Sequence, residues 1–124
     1  VAANVVTSQA TTSTAYVDLA TVGPAVTVTI PASGRVLVSV SAGTANTTGG
    51  GSDFMGFAIS GTDTRAASDG NALILGGNNL QAATASFIVT GLTANGSDIF
   101  TAKYRVSGGT GAWSNRSIWA IPIP

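Results

Sequence analysis

The stretch Ile99–Pro124, IFTAKYRVSGGTGAWSNRSIWAIPIP, decides how the rest of the chain is read. Phe100, Ala102, Tyr104 and Val106 alternate with Thr101, Lys103 and Arg105, the period of two that marks a strand with one side in a core and the other in water. A Gly-rich segment follows, and then Ile118 to Ile123, which is apolar on both faces. Ile118 and Ala120 point one way; Trp119, Ile121 and Ile123 point the other. Residues alone leave open which of these faces meets the interior. Either way, both sides of that strand need cover, which places it in the middle of a sheet.

Working outward, Val26, Val28 and Ile30 alternate with Thr27 and Thr29 until Pro31, and Ala32-Ser33-Gly34 turns the chain. Val36, Val38, Val40 and Ala42 form the next inward row, with Arg35, Ser39 and Ser41 outward and Leu37 an apolar exception. Together residues 25–42 read as a hairpin. GTANTTGGGS at 43–52 reads as a flexible loop, and GTDTRAASDGN at 61–71 as another. Between them Met55, Phe57 and Ile59 share a face, with Gly56 opposite, where a neighbour can approach closely. Ala72–Leu75 and Ala83–Thr90 are further strands. Tyr16 to Thr21 reads as a short strand preceded by residues 1–15, an extended N-terminal arm or edge strand. Residues 16–124 then form one all-β domain, an antiparallel β-sandwich or jelly roll of about eight strands.

Composition narrows the function. The chain has 124 residues, enough for one core, and 44% are hydrophobic. Only 8% are charged, against about 25% in an ordinary soluble domain. Five basic and five acidic side chains cancel, so no basic patch forms and nucleic acid is a poor partner. No apolar run of about 18 residues is present, so no membrane insertion is expected. Cys, His and Glu are absent, which removes Ser-His-Asp and Cys-His catalysis and the usual zinc ligands. The acids are all Asp, mostly beside Gly, Ser, Thr or Asn, where Asp forms turns. The chain is therefore expected to be no enzyme and to need no cofactor or metal. Asp53, Asp63 and Asp69 lie in two loops, but their spacing matches no calcium loop. Sequons at Asn46, Asn95 and Asn115 would carry glycans only in a eukaryotic secretory setting.

Three exposed candidates have two readings each. Trp113 in GGTGAWSNRS could stack on a sugar or dock a protein, or it could be a lid over one end of the sandwich. Lys103 and Arg105 could hold a carboxylate-bearing partner, or they could be solvated or paired with an Asp such as Asp98.

The segments VTVTIPASGRVLVSV, TGLT, FTAKYRVSGGTG and SNRSIWAIPI resemble a domain of actinobacterial phage virion proteins, in minor tail or fibre-like proteins and other structural components. The resemblance runs from about Thr11 to the end, and FTAKYRVSGGTG is its most specific part. More distantly, the layout is similar to tumour necrosis factor and complement-type trimeric jelly rolls, with Pro31–Gly34 and Ser114–Ile118 at the matching positions. The resemblance implies a homotrimer on a virion surface, either a capsid decoration or a tail-fibre component, with capsid or tail proteins as its other partners. Leu37, Trp119, Ile121 and Ile123 are the expected trimer contacts. The alternative reading is a receptor- or carbohydrate-binding head that attaches to a host cell-surface glycan.

Overall fold

The computed structural model describes all 124 residues, Val1–Pro124. Nine strands, one more than expected, run in the order β1 (Ala2–Val5), β2 (Gln9–Thr11), β3 (Ala25–Thr29), β4 (Arg35–Asn46), β5 (Ser52–Gly61), β6 (Leu73–Gly76), β7 (Gln81–Val89), β8 (Ser97–Val106) and β9 (Gly111–Ile123). A 3-10 turn at Asp69–Asn71 is the only helical element. One sheet has the order β1-β9-β4-β7 with β2 also on β9; the other has the order β3-β8-β5-β6.

The pairing is nested. β2 pairs with β9, β3 with β8, β4 with β7 and β5 with β6, all antiparallel. A long hairpin rolled across two sheets gives this pattern, the jelly-roll connectivity. It overturns one expectation. Residues 25–42 are no hairpin, because β3 and β4 lie in opposite sheets. Pro31 ends β3, and the Pro31–Gly34 turn, closed by Gly34 N–H to Pro31 C=O at 2.9 Å, carries the chain between the layers. The Gly-rich segment 107–110 likewise carries β8 to the other sheet as β9.

The two inner faces make one core. From β8 come Phe100, Ala102, Tyr104 and Val106, all fully buried, as their alternation implied. Facing them are Val36, Val38, Val40 and Ala42 of β4 and Ile118 and Ala120 of β9. Side chains meeting between two sheets exclude water from both, and a buried Val or Phe is worth about 1.5–3 kcal/mol relative to exposure.

Two segments differ from their sequence reading. The 43–52 loop shrinks to 47–51, because β4 continues to Asn46 and β5 begins at Ser52. Tyr16–Thr21 pairs only through a bridge between Val17 and Tyr104. It runs as a strap along the edge of β8, with Leu19 turned into the core and the Tyr16 ring laid on the outer face of the second sheet. Tyr16 lies above Gly56, where an added Cβ would stand 3.2 Å from the ring. The expected close approach at Gly56 is this one.

Candidate functional site

The outer surfaces of the two sheets differ in chemistry. On the second sheet the basic side chains of β8 are neutralised by the strap and the 3-10 turn. Lys103 Nζ is 2.6 Å from Asp18 Oδ1, and Arg105 makes a two-pronged contact with Asp69 at 2.9 and 2.5 Å. The Arg105 guanidinium sits 3.8 Å over the Phe54 ring, with Tyr16 beside it. Arg105, and then the Tyr16 hydroxyl, hold the Asp69 carboxyl below the usual carboxylate range. Lys103 and Arg105 therefore have partners within the chain, neither of them Asp98. As proposed contacts for an outside carboxylate they are already occupied.

On the first sheet the outer face is nearly free of charge. Its geometry starts from a bulge in β9. Between Ser117, opposite Ser41, and Ser114, opposite Gly43, β9 spends one residue more than β4. Asn115 absorbs it with φ +48°. Extra residues of this kind reverse the inside-outside alternation. Trp113 and Arg116 are thus both buried, although three positions apart. Beyond the bulge Ile118 and Ala120 point in, and Trp119, Ile121 and Ile123 point out.

That outer set meets its neighbours in register. Leu37 of β4 lies between Ile121 of β9 and Ile88 of β7. Trp119 stands opposite Ser39, with Ala2 of β1 on its other side. Ile121 and Ile88 are 50% and 59% exposed. Leu37, Trp119 and Ile123 are half-buried. The rest of the face includes Ser39, Ser41, Ser117, Ser86, Thr84, Asn4 and Ala82, with the exposed Leu80 lying against Gly43. Its one charge is Arg35, opposite Ile123 at the rim. The four residues expected at an interface therefore share one face. Ile88 joins them, and its outward place beside Ser86 and Thr90 was readable from the alternation in ASFIVT.

Trp113 requires a correction. It belongs to β9, not to a loop, and is fully buried, its ring 5.2 Å from that of Tyr104 in an edge-on arrangement. A side chain with no exposed surface cannot stack on a sugar or dock a protein. Arg116 was missed altogether. It is fully buried and donates to the Gly23 carbonyl at 2.9 Å, the Tyr104 hydroxyl at 3.2 Å and Gln9 Oε1 at 2.7 Å. No carboxylate accompanies it. Carbonyl, amide and phenol oxygens accept from its two terminal nitrogens, Nε is buried without a partner, and the side chain ties β2 and the Gly23 turn to the core. Burial pushes the Tyr104 phenol up to about 12, against the opposing effect of Arg116.

The aspartates go to separate partners. Asp63 accepts from Thr93 N–H and Oγ1 at 2.8 and 3.0 Å, and its backbone N–H donates to Asp98 Oδ1 at 2.8 Å. Burial raises the Asp98 carboxyl above its ordinary value, and its Oδ2 is buried without a partner. Asp53 is buried between β4 and β5, accepting from Thr44 Oγ1 and from Asn46 Nδ2 at 2.8 Å. Asp53, Asp63 and Asp69 thus form no shared cation cage. Asn46, 1% exposed and engaged with Asp53, is closed to a glycan.

A depression of about 390 Å³ opens where β4 ends and β9 begins, lined by Ala45, Asn46, Thr47, Asn78, Thr110 and Ala112. Ala45 and Ala112 are register partners and form its floor. Thr47 N–H donates to Thr110 C=O, and Thr110 N–H to Thr47 Oγ1, both at 3.0 Å. Asn46 N–H to Gly77 C=O, also 3.0 Å, brings in the β6–β7 turn that carries Asn78.

Fold and faces together define an all-β, two-sheet antiparallel sandwich of nine strands. No protein-family model matches the chain, and no curated protein sequence matches it. Among solved structures it is similar to the CBM22-1 xylan-binding domain from Paenibacillus barcinonensis Xyn10C, with 8% sequence identity and a TM-score of 0.38. The similarity spans 99% of this chain and 87% of that one. At that distance the likeness transfers no ligand.

Proposed function

We propose that the chain is a structural module that assembles with copies of itself, as a trimer, through the outer face of the β1-β9-β4-β7 sheet. One observation carries this reading: Ile88, Leu37, Ile121, Trp119 and Ile123 crowd a face whose only charge is Arg35 at the rim. An ordinary outer face of an antiparallel sheet is polar, and contiguous exposed apolar patches mark interaction surfaces. Full burial of such a side chain is worth about 1.5–3 kcal/mol, and with these five already partly covered, contact between copies recovers roughly half of that for each. The opposite sheet carries the ion pairs and the strap, so it is the face suited to water.

The setting we propose is a virion surface, as capsid decoration or tail-fibre component, with capsid or tail proteins as neighbours. Support comes from the resemblance of FTAKYRVSGGTG and SNRSIWAIPI to phage virion domains. Ile121→Asp places a charge at the centre of the apolar band and tests the assembly. Wild type sediments as an oligomer and the variant as a single subunit. A variant that sediments like wild type removes the reading.

A second reading, attachment to a glycan-bearing host surface, is favoured by a different observation. At the far end of the sandwich the loops 47–51 and 107–110 and the β6–β7 turn are bonded together around a depression.

A further inference from the structure

The geometry points to this depression as a subsite for one neutral sugar ring, a terminal residue of a larger glycan. The inference rests on the attachment reading and is independent of self-assembly. Along β4 the eight residue steps from Leu37 to Ala45 span about 26 Å, so the apolar band and the depression are separate places.

Volume and chemistry select the ligand. About 390 Å³ lies at the small end of the range for small-molecule sites. None of the six lining residues is ionisable, which disfavours an anion or a cation. The floor is a pair of alanine methyls, short enough to leave room and apolar enough to accept a C–H face. Around it stand polar groups: the exposed Asn78 amide and the Thr47 and Thr110 hydroxyls. A pyranose has this same division, with an apolar C–H face and hydroxyls around its edge.

The site is also built, not merely hollow. Beneath it the buried Asp53 carboxyl accepts from Thr44 and Asn46 with no basic partner among its hydrogen bonds. Burying a carboxyl without a cation is unfavourable unless its bonds are satisfied. Here they serve the loops. Asn46 Nδ2 also donates to Gly108 C=O at 2.9 Å, and its Oδ1 accepts Thr48 N–H at 2.8 Å. One asparagine thus fixes both loops that form the walls. At Gly111 an added Cβ would run into Asp53, Val106 and Trp113, so the chain passes close against the network there. Preorganised walls of this kind let a small ligand bind without first ordering a loop.

The test is amide-resonance titration of the intact chain with D-galactose, D-mannose and N-acetyl-D-glucosamine, each taken to high millimolar concentration. At least one sugar shifts residues 45–47, 78 and 110–112 along a saturable curve. Ala45→Leu fills the floor and abolishes that curve. Asn78→Ala, on an exposed turn and safe for folding, weakens it by up to about tenfold, as loss of one hydrogen bond does. No saturable shift at these residues with any of the three overturns the subsite, as does unchanged binding by a folded Ala45→Leu chain. Shifts confined to other loops also overturn it, while leaving the attachment reading standing. Sedimentation of the same samples reports on self-assembly separately.

Discussion

Leu37 and Ile121 stand directly opposite each other on β4 and β9, both on the outside of the sandwich, with Ile88 completing the row on β7. Three large aliphatic side chains abreast, on a face that carries hydroxyls elsewhere, are out of place in water. Replacing the outermost, Ile88→Ser, leaves the fold intact because the side chain is already 59% exposed. The expected change in unfolding free energy is within about 0.5 kcal/mol, as for surface substitutions generally. Self-association weakens, read as a concentration-dependent shift in sedimentation. Urea denaturation at a concentration where both proteins are dissociated checks the first part.

Trp113→Ala behaves as a core deletion. With the indole fully buried against Tyr104, its loss destabilises by about 3–5 kcal/mol, the range for a buried aromatic cut to alanine. Chemical denaturation measures this. Near-native stability would mean that the ring is not in the core.

At Gly56 the added methyl of Gly56→Ala meets Tyr16 at 3.2 Å. The ring has to give by a few tenths of an ångström, which disturbs the Tyr16 hydroxyl bond to Asp69 at 2.7 Å and the strap along the β8 edge. A loss of up to about 1 kcal/mol is expected, the low end for overpacking, because the neighbour is a half-buried side chain and not backbone. Faster hydrogen exchange at Val17, which donates to Tyr104 C=O at 2.9 Å, shows the strap loosening. Unchanged exchange there counts against it.

Stability responds to pH from two directions. Asp69 is held below its ordinary value of 3.8 by Arg105 and then Tyr16. Its contribution is present above that value and is lost as pH falls through the lower, folded one. Asp98 is raised by burial, so its contribution is complete below the unfolded value and is lost as pH rises through the higher, folded one. Asp98→Asn keeps an oxygen for the Asp63 N–H and removes the ionisation. The variant gains Tm relative to wild type at neutral pH and loses that advantage at acid pH. A constant difference across the range contradicts the assignment.

What the sequence made legible follows from where information is local. Alternation within a single strand is local, so the buried row of β8 and the outward Leu37 could be read directly, whereas on β9 it separates Ile118 and Ala120 from Trp119, Ile121 and Ile123 without saying which set faces the core. Strand pairing in this roll is not local. β3 and β4 follow one another, carry matching alternation and are joined by a turn, yet they enter opposite sheets. Trp113 reads as a loop residue because of the glycines before it, and alternation does not turn it inward either. Counting back by twos from Ile118 and Ala120 leaves every odd residue outside, and only the extra residue at Asn115 turns Trp113 inward. Arg116 gave no signal, because an arginine beside Asn and Ser reads as surface until the bulge is known. The depression depends on three chain segments far apart in sequence, held together by Asn46, and no single stretch describes it.

Sedimentation velocity of the unmodified chain beside Ile121→Asp tests the central proposal most directly. The account predicts a wild-type species at three times the 12.2 kDa chain mass and a variant at the mass of one chain. A wild-type protein that sediments as one compact subunit at every concentration would contradict it.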